Sequence, residues 1–396
     1  MDAQIARAEA GARAIKMRGV GLARLFFGIS NGIVTLLLPI YFSTIGGGPA
    51  ALGLIEGISR AVERLARGGA SAFGGKRSVV WIGTLLMMLQ GAFSFARSPL
   101  QIFLIRCPVA IGHGFWEREI ESGRDFSQRA ARRSDRAMEQ IGMVLAPVIL
   151  LASTGLFPLE QRFLLTLPLL FFALLFFFIG DRRKRAKEVD PAIPSSLPPS
   201  LLRPISIGAG IAGLGNICDT LLLYRAFELL TRDHGVAQAA SLTAFLFMLS
   251  RLFYALPGAV ARTGWIGKKR FLPAGYCSLA LVYLGFIFVP PVKSYVGPLP
   301  ALLLLFFLMA LSGIGQGTVD RIEQGGEIDS ASRPFIRWSR GVTDPIANIF
   351  VGFLWSVISP TAGFVYAAAM TLSGAVVLLY RGNDPESWGK TAFPFH

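Results

Sequence analysis

Ionisable side chains recur inside the oily segments of this chain, and their spacing says what chemistry they could do. Glu56, Arg60, Glu63 and Arg67 follow i, i+4, i+7, i+11, which puts all four on one face of a helix. Opposite charges at that spacing can pair along the helix, or exchange partners as a relay for a proton or another ion. A second set combines ionisable and uncharged polar groups on single helix faces. Arg24, Asn31 and Thr35 form one face, and Arg106, His113 and Glu117 another. Asn216, Asp219, Thr220 and Tyr224 cluster in a third segment, and Gln316, Asp320, Glu323 and Glu327 in a fourth. Ionisable groups at membrane depth are costly and usually face a bundle interior or an aqueous cavity. Asp219 and Glu56 are the candidate proton carriers, because desolvation raises a carboxyl pKa towards neutrality. Arg106 suits an anionic group; equally, Asp219 and Arg106 could each form a salt bridge to a partner in another span. Asn31 and Asn216 could present amides to a solute; equally, each could serve an interhelical hydrogen bond worth about 1 kcal/mol or less.

The elements that position these groups are membrane spans. The chain has 396 residues, of which 53% are hydrophobic and only 16% charged. Apolar stretches of about 20 residues recur, as roughly 30 Å of hydrocarbon requires of a helix. Twelve spans are predicted: 20–44, 51–73, 79–96, 99–119, 136–157, 162–181, 204–230, 236–259, 270–290, 299–319, 336–358 and 361–380. The net charge of +15 follows topology rather than nucleic-acid binding. With both termini cytoplasmic, the inner loops and tails hold 28 Lys and Arg and the outer loops four. The run Arg182-Arg183-Lys184-Arg185 would attract anionic lipid as a by-product. Residues 1–19 form a charged cytoplasmic tail without an apolar run, so the first span is expected to act as an uncleaved signal. The Pro- and Ser-rich stretch 182–203 reads as a cytoplasmic linker between a bundle at 20–181 and a bundle at 204–380, and 381–396 forms a second tail.

The two bundles echo each other. Gly28-Ile-Ser-Asn31 returns as Gly213-Leu-Gly-Asn216, 185 residues on. Gly75-Lys76 returns as Gly267-Lys268, and Ile111-Gly112-His113-Gly114 returns as Ile314-Gly315-Gln316-Gly317. Six spans per copy give both copies one orientation, which is a parallel repeat. At about 1.5 Å per residue, Asn31 and Asn216 fall near mid-membrane and Arg106 lies about 10 Å in from the outer surface. Glu117, Asp320, Glu323 and Glu327 fall at or beyond the inner interface, where gate or loop contacts are expected.

The chain resembles the major facilitator superfamily, in particular bacterial permeases of unassigned substrate. Pro49-Ala-Ala-Leu52-Gly53-Leu-Ile-Glu56-Gly57 is similar to the start of that family's second span, and Arg136-Ala-Met138-Glu-Gln-Ile-Gly142 to its fifth. Gly215-Asn216-Ile-Cys-Asp219 through Arg225 resembles the seventh, and Leu281-Val-Tyr-Leu-Gly285 the ninth. The resemblance implies an all-α polytopic fold of 12 transmembrane helices in two parallel six-helix repeats, with spans 1, 4, 7 and 10 lining a central cavity. It also implies a loop acid that latches the halves. Ala72 stands at that position in the first copy and Gly264 in the second.

Other chemistries are disfavoured. Gly208-Ala-Gly210-Ile-Ala-Gly213 is a literal GxGxxG, but no strand precedes it, so its glycines serve helix packing. The three histidines lack metal-ligand spacing, the three cysteines form no framework, and no nucleotide-hydrolysis motif is present. No cofactor, metal, nucleic acid or enzymatic activity is expected. The sequence predicts a monomeric secondary transporter of a small solute, with proton coupling through Asp219 and Glu56. The solute would bind through Arg24, Asn31, Thr35, Arg106, His113, Asn216, Thr220 and Tyr224. Arg60, Glu63, Arg67, Glu117, Asp320 and Glu323 would gate or relay charge. The alternative is a non-transporting membrane scaffold or assembly factor on the same fold.

Overall fold

A computed structural model describes residues 2–70, 77–122, 129–180, 204–260, 271–324 and 333–381. Its helices are α1 (Asp2–Thr44), α2 (Pro49–Gly69), α3 (Arg77–Met88), α4 (Pro99–Ser122), α5 (Arg129–Ala152) and α6 (Thr166–Gly180). They continue as α7 (Pro204–Gly213), α8 (Asp219–Val260), α9 (Leu272–Tyr295), α10 (Pro298–Gln324), α11 (Arg333–Val357) and α12 (Pro360–Arg381). Two 3-10 segments, Leu89–Phe95 and Glu160–Leu165, extend α3 and precede α6. The linker 182–203 and the loop positions Ala72, Gly264 and Glu327 lie outside the described residues.

Among the described residues, seven helical stretches are long and apolar enough to cross a membrane: Gly19–Thr44, Ser78–Phe95, Glu160–Ile179, Asp219–Val260, Leu272–Tyr295, Pro298–Glu323 and Pro360–Tyr380. This is fewer than the twelve expected, for physical reasons. The segments α2, α4, α5 and α11 carry charged residues within their length. The fourth of the seven stretches is 42 residues long and turns at Gly235, whose φ of 69° suits glycine, so the predicted spans 7 and 8 meet inside α8. Predicted span 7 (204–230) is also not continuous. It stops at Gly213 and restarts at Asp219, leaving residues 214–218 unwound.

The chain forms two compact units. The first comprises Met1–Gly46 and Val62–Asp190, the second Gly47–Ala61 and Pro191–His396. The charged face of α2 is therefore shared, with Glu56 and Arg60 in the second unit and Glu63 and Arg67 in the first. In the first unit α1 is the central helix and packs on α5 and α6. Its core joins Val20, Ala23 and Phe27 to Trp116, Leu170 and Phe177. Close approach depends on glycine: a Cβ on Gly28 would strike the Glu139 carbonyl, and one on Gly142 the Leu25 carbonyl. In the second unit α10 packs on α8 and α9, and α12 on α7 and α9.

The repeated glycines make matching contacts in the two units. Gly112 abuts the backbone of Gly83, and Gly114 that of Glu63. Their counterparts Gly315 and Gly317 abut Ser278 and the backbone of Tyr254. The GxGxxG glycines behave as packing residues: Gly208 abuts Leu378 and Gly374, and Gly213 abuts Thr343.

Candidate functional site

Each unit buries a polar centre. In the first unit, α1 contributes Arg24, only 5% exposed. Arg24 donates from both terminal nitrogens to Glu117 on α4, and from Nη1 to Glu139 Oε2 on α5 at 2.7 Å. One guanidinium thus serves two carboxylates on two helices, the geometry that favours arginine over lysine. One turn and a half along α1, Ser30 Oγ donates to Gln90 Oε1 at 3.2 Å, and Gln90 Nε2 lies 3.1 Å from His113 Nε2. With the Gln90 amide nitrogen as donor, this ring nitrogen is the acceptor, which matches the imidazole tautomer carrying its proton on Nδ1. Phe27 packs on the rings of His113 and Trp116.

In the second unit, the centre is built around the unwound residues 214–218. Asn216 Nδ2 donates to Asp344 Oδ1 at 3.2 Å. Asp219, the first residue of α8, has both carboxylate oxygens occupied. Oδ2 accepts from Arg251 Nη2 at 2.5 Å and Oδ1 from Gln316 Nε2 at 2.9 Å. The Arg251 guanidinium lies over Phe247 at 5.1 Å and Tyr254 at 5.6 Å, which offsets part of its desolvation. Tyr254 in turn donates to Asp320 at 2.8 Å. Arg340 on α11 then gathers Glu323 at 2.6 Å, Asp320 at 3.4 Å and Asp344 at 3.7 Å, while Tyr276 donates to Glu323. From α2, Arg60 acts electrostatically on Glu56, Asp219 and Asp344. The result is one network running from the break between α7 and α8 to the C-terminal end of α10.

The sequence-predicted residues divide by accessibility. Asn31, Thr35, Arg106 and Asn216 are partly exposed. Arg24, His113, Thr220 and Tyr224 are buried, and Tyr224 Oη donates to the Gly47 carbonyl at 2.9 Å. Asp219 is joined to Arg251, and Glu56 is 1% exposed. Glu117, Asp320 and Glu323 each meet an arginine. Sequence reasoning did not single out Arg251, Arg340, Asp344, Asn348, Glu139, Gln90 or Tyr283 for a role. An arginine within an apolar run was a usable signal for Arg251. Asp344 and Asn348, one turn apart on α11, were a weaker one.

Comparison with known proteins gives a consistent answer. No family model matches the chain. A protein of Methanocaldococcus jannaschii described as an uncharacterized MFS-type transporter is 23% identical over 390 residues, spanning 91% of this chain and 93% of that one. The solved nucleoside transporter NupG superposes with a TM-score of 0.65 at 13% identity, covering 94% of this chain and 99% of its own. A POT family transporter solved with 5-aminolevulinic acid gives 0.67 at 11% identity, covering 93% and 95%. The chain has the major facilitator fold. A bacterial homologue of the lysosomal transporter Spinster, inward-facing and unoccupied, extends the likeness at a TM-score of 0.59 and 15% identity over 93% of this chain and 95% of its own. With this fold and its apolar helices, the chain is a multi-pass membrane protein, similar to transporters and not to enzymes.

Proposed function

We propose that the chain is a secondary active transporter that carries a small solute by alternating access across a bacterial inner membrane, with both termini cytoplasmic. The observation that supports it most is the match to transporters over more than nine-tenths of both chains, joined to an ionic centre inside the apolar helices of each unit. Such centres are expensive in hydrocarbon and mark substrate or ion pathways. The partly exposed Asn31, Thr35, Arg106 and Asn216 are the first solute contacts in this reading. Arg24, His113, Thr220 and Tyr224 shape the site from behind. Asp219 and Glu56 carry the coupled proton. Arg60, Glu63, Arg67, Glu117, Asp320 and Glu323 change partners as access changes.

Purified protein in liposomes tests this directly, with nucleosides, 5-aminolevulinic acid and short peptides as the first panel. Saturable uptake driven by an imposed pH gradient is expected for one class. In Asp219→Asn, that uptake should lose its dependence on the gradient while solute exchange persists. Gradient dependence surviving in both Asp219→Asn and Glu56→Gln would remove the coupling assignment. Absence of flux across a broad metabolite panel, with a protein partner copurifying, would replace transport by the scaffold reading.

A further inference from the structure

A helix restarted in mid-membrane leaves backbone N–H groups without intrahelical acceptors, and hydrocarbon supplies no water to satisfy them. At the α7–α8 break these donors are met by side chains from distant parts of the second unit. The Ile217 N–H donates to Tyr283 Oη on α9 at 3.2 Å. The Cys218 N–H donates to Asn348 Oδ1 on α11 at 2.8 Å. Asn348 is itself oriented, because its Nδ2 donates to the Asp344 carbonyl at 2.7 Å. Tyr283 and Asn348 are both fully buried. The two acceptors therefore occupy the amides that would otherwise bond back to residues 213 and 214 and close the helix.

The first copy shows the same sequence class without the break. Asn31 lies in the uninterrupted α1. Gly28 packs on Glu139 as Gly213 packs on Thr343 and Asp344, which aligns α5 with α11 at an offset of about 205 residues. Met143 then stands where Asn348 does, and it supplies no strong acceptor. Gly83 and Gly275 align α3 with α9, so Gly91 stands where Tyr283 does, and it has no side chain. The break thus goes with the acceptors rather than with the local Gly-x-x-Asn sequence.

We propose that Tyr283 and Asn348 are positioning residues. By accepting the Ile217 and Cys218 amides they hold span 7 unwound, so that Asn216 projects from a fixed, non-helical backbone and Asp219 from the first turn of the restarted helix. This deepens the transport reading, because it names the groups that shape the Asn216–Asp219 site. Neither residue needs to touch a solute. The acceptor atom matters, not the bulk of the side chain.

Amide-resolved hydrogen exchange on the full-length protein in detergent, without added solute, tests the assignment. In Tyr283→Phe, which keeps the ring, the Ile217 amide should exchange at least tenfold faster. In Asn348→Leu the Cys218 amide should do the same. Asn348→Asp keeps an oxygen at the acceptor position and should restore Cys218 to within about twofold of wild type, a rescue that volume alone does not predict. Unchanged exchange at Ile217 and Cys218 in both loss variants would overturn the proposal. So would failure of Asn348→Asp to rescue, or loss of protection spread evenly over α9 to α12 in Tyr283→Phe. The readout involves no flux, so a failed transport assay leaves it standing, and its failure leaves transport standing.

Discussion

Asn31 and Asn216 occupy equivalent points of a repeated sequence, yet their surroundings differ in kind. Asn31 sits in a continuous helix, partly exposed, and its side chain makes no hydrogen bond among the described residues. Asn216 sits in an unwound segment and donates to Asp344. The ionic centres differ in the same way. Both copies keep an acid on the fourth helix of the unit, Glu117 or Asp320, and one on the fifth, Glu139 or Asp344. In the first copy the shared cation is Arg24 on α1. In the second the corresponding position is Ala209, and Arg340 on α11 takes the role. Moving the cation off the first helix of the repeat leaves that helix free of an ion pair to the fourth and fifth. Span 7 can then be held through its backbone and through Asp219 instead. The two units share the acids and the packing glycines but differ in what holds the first helix.

The largest test of this contrast removes the shared cations. Breaking a buried ion pair from one side costs about 3–5 kcal/mol, because it leaves charge unmatched. Arg340→Ala and Arg24→Ala should both be damaging, since Arg340 meets Asp320 and Glu323 on α10 and Arg24 meets Glu117 on α4 and Glu139 on α5. Thermal unfolding in detergent should show both losses, with Arg24→Ala partly recovered by adding Glu117→Gln and Glu139→Gln. Equal stability of Arg340→Ala and wild type would show that the second centre is not held by its cation.

Packing gives the next effect. Gly28→Ala drives a methyl into the backbone carbonyl of Glu139 and should cost about 1–3 kcal/mol as overpacking. Gly213→Ala meets chiefly the Thr343 side chain, which can rotate, and should cost less. Gly210→Ala finds its nearest atom 3.8 Å away at Ser339 and should be close to neutral. An order other than Gly28, Gly213, Gly210 would mean that the first helices of the two units are not held as described.

The smallest effect separates the two asparagines themselves. Asn216→Ala leaves the buried Asp344 carboxylate one donor short and should cost about 1–2 kcal/mol. Asn31→Ala should change stability by no more than about 0.5 kcal/mol, as expected for a side chain with no hydrogen-bond partner among the described residues. Matching losses at the two sites, read from thermal shifts, would erase the asymmetry.

Much of the fold was legible in the sequence because its signals are local. Apolar length located the stretches that the structure shows as seven long apolar helices, and charge bias supplied the expected orientation. The glycine pairs Gly112/Gly114 and Gly315/Gly317 were legible only as a repeat; the structure packs them against α2 and α3, and against α8 and α9. The candidate centre was less legible because its decisive partners are remote. Tyr283 lies 66 residues from Ile217, and Asn348 lies 130 from Cys218. Residues 204–230 read as one span because Gly-x-x-Asn suits a helix when nothing competes for its amides, as α1 shows. The face running from Glu56 to Arg67 was correctly read as one helix, but periodicity carries no hint that its two ends belong to different units. Depth and face were legible for Arg24, but not the two carboxylates that reach it from α4 and α5.

The central claim is that the two copies of one motif adopt different backbones because of their tertiary partners. Backbone 13C shifts of residues 28–35 and 213–220, measured on selectively labelled protein in bilayers, test it most directly. The account predicts helical Cα and carbonyl shifts throughout 28–35 and a clear departure from helical values across 214–218. An unbroken helical pattern through both segments would contradict it.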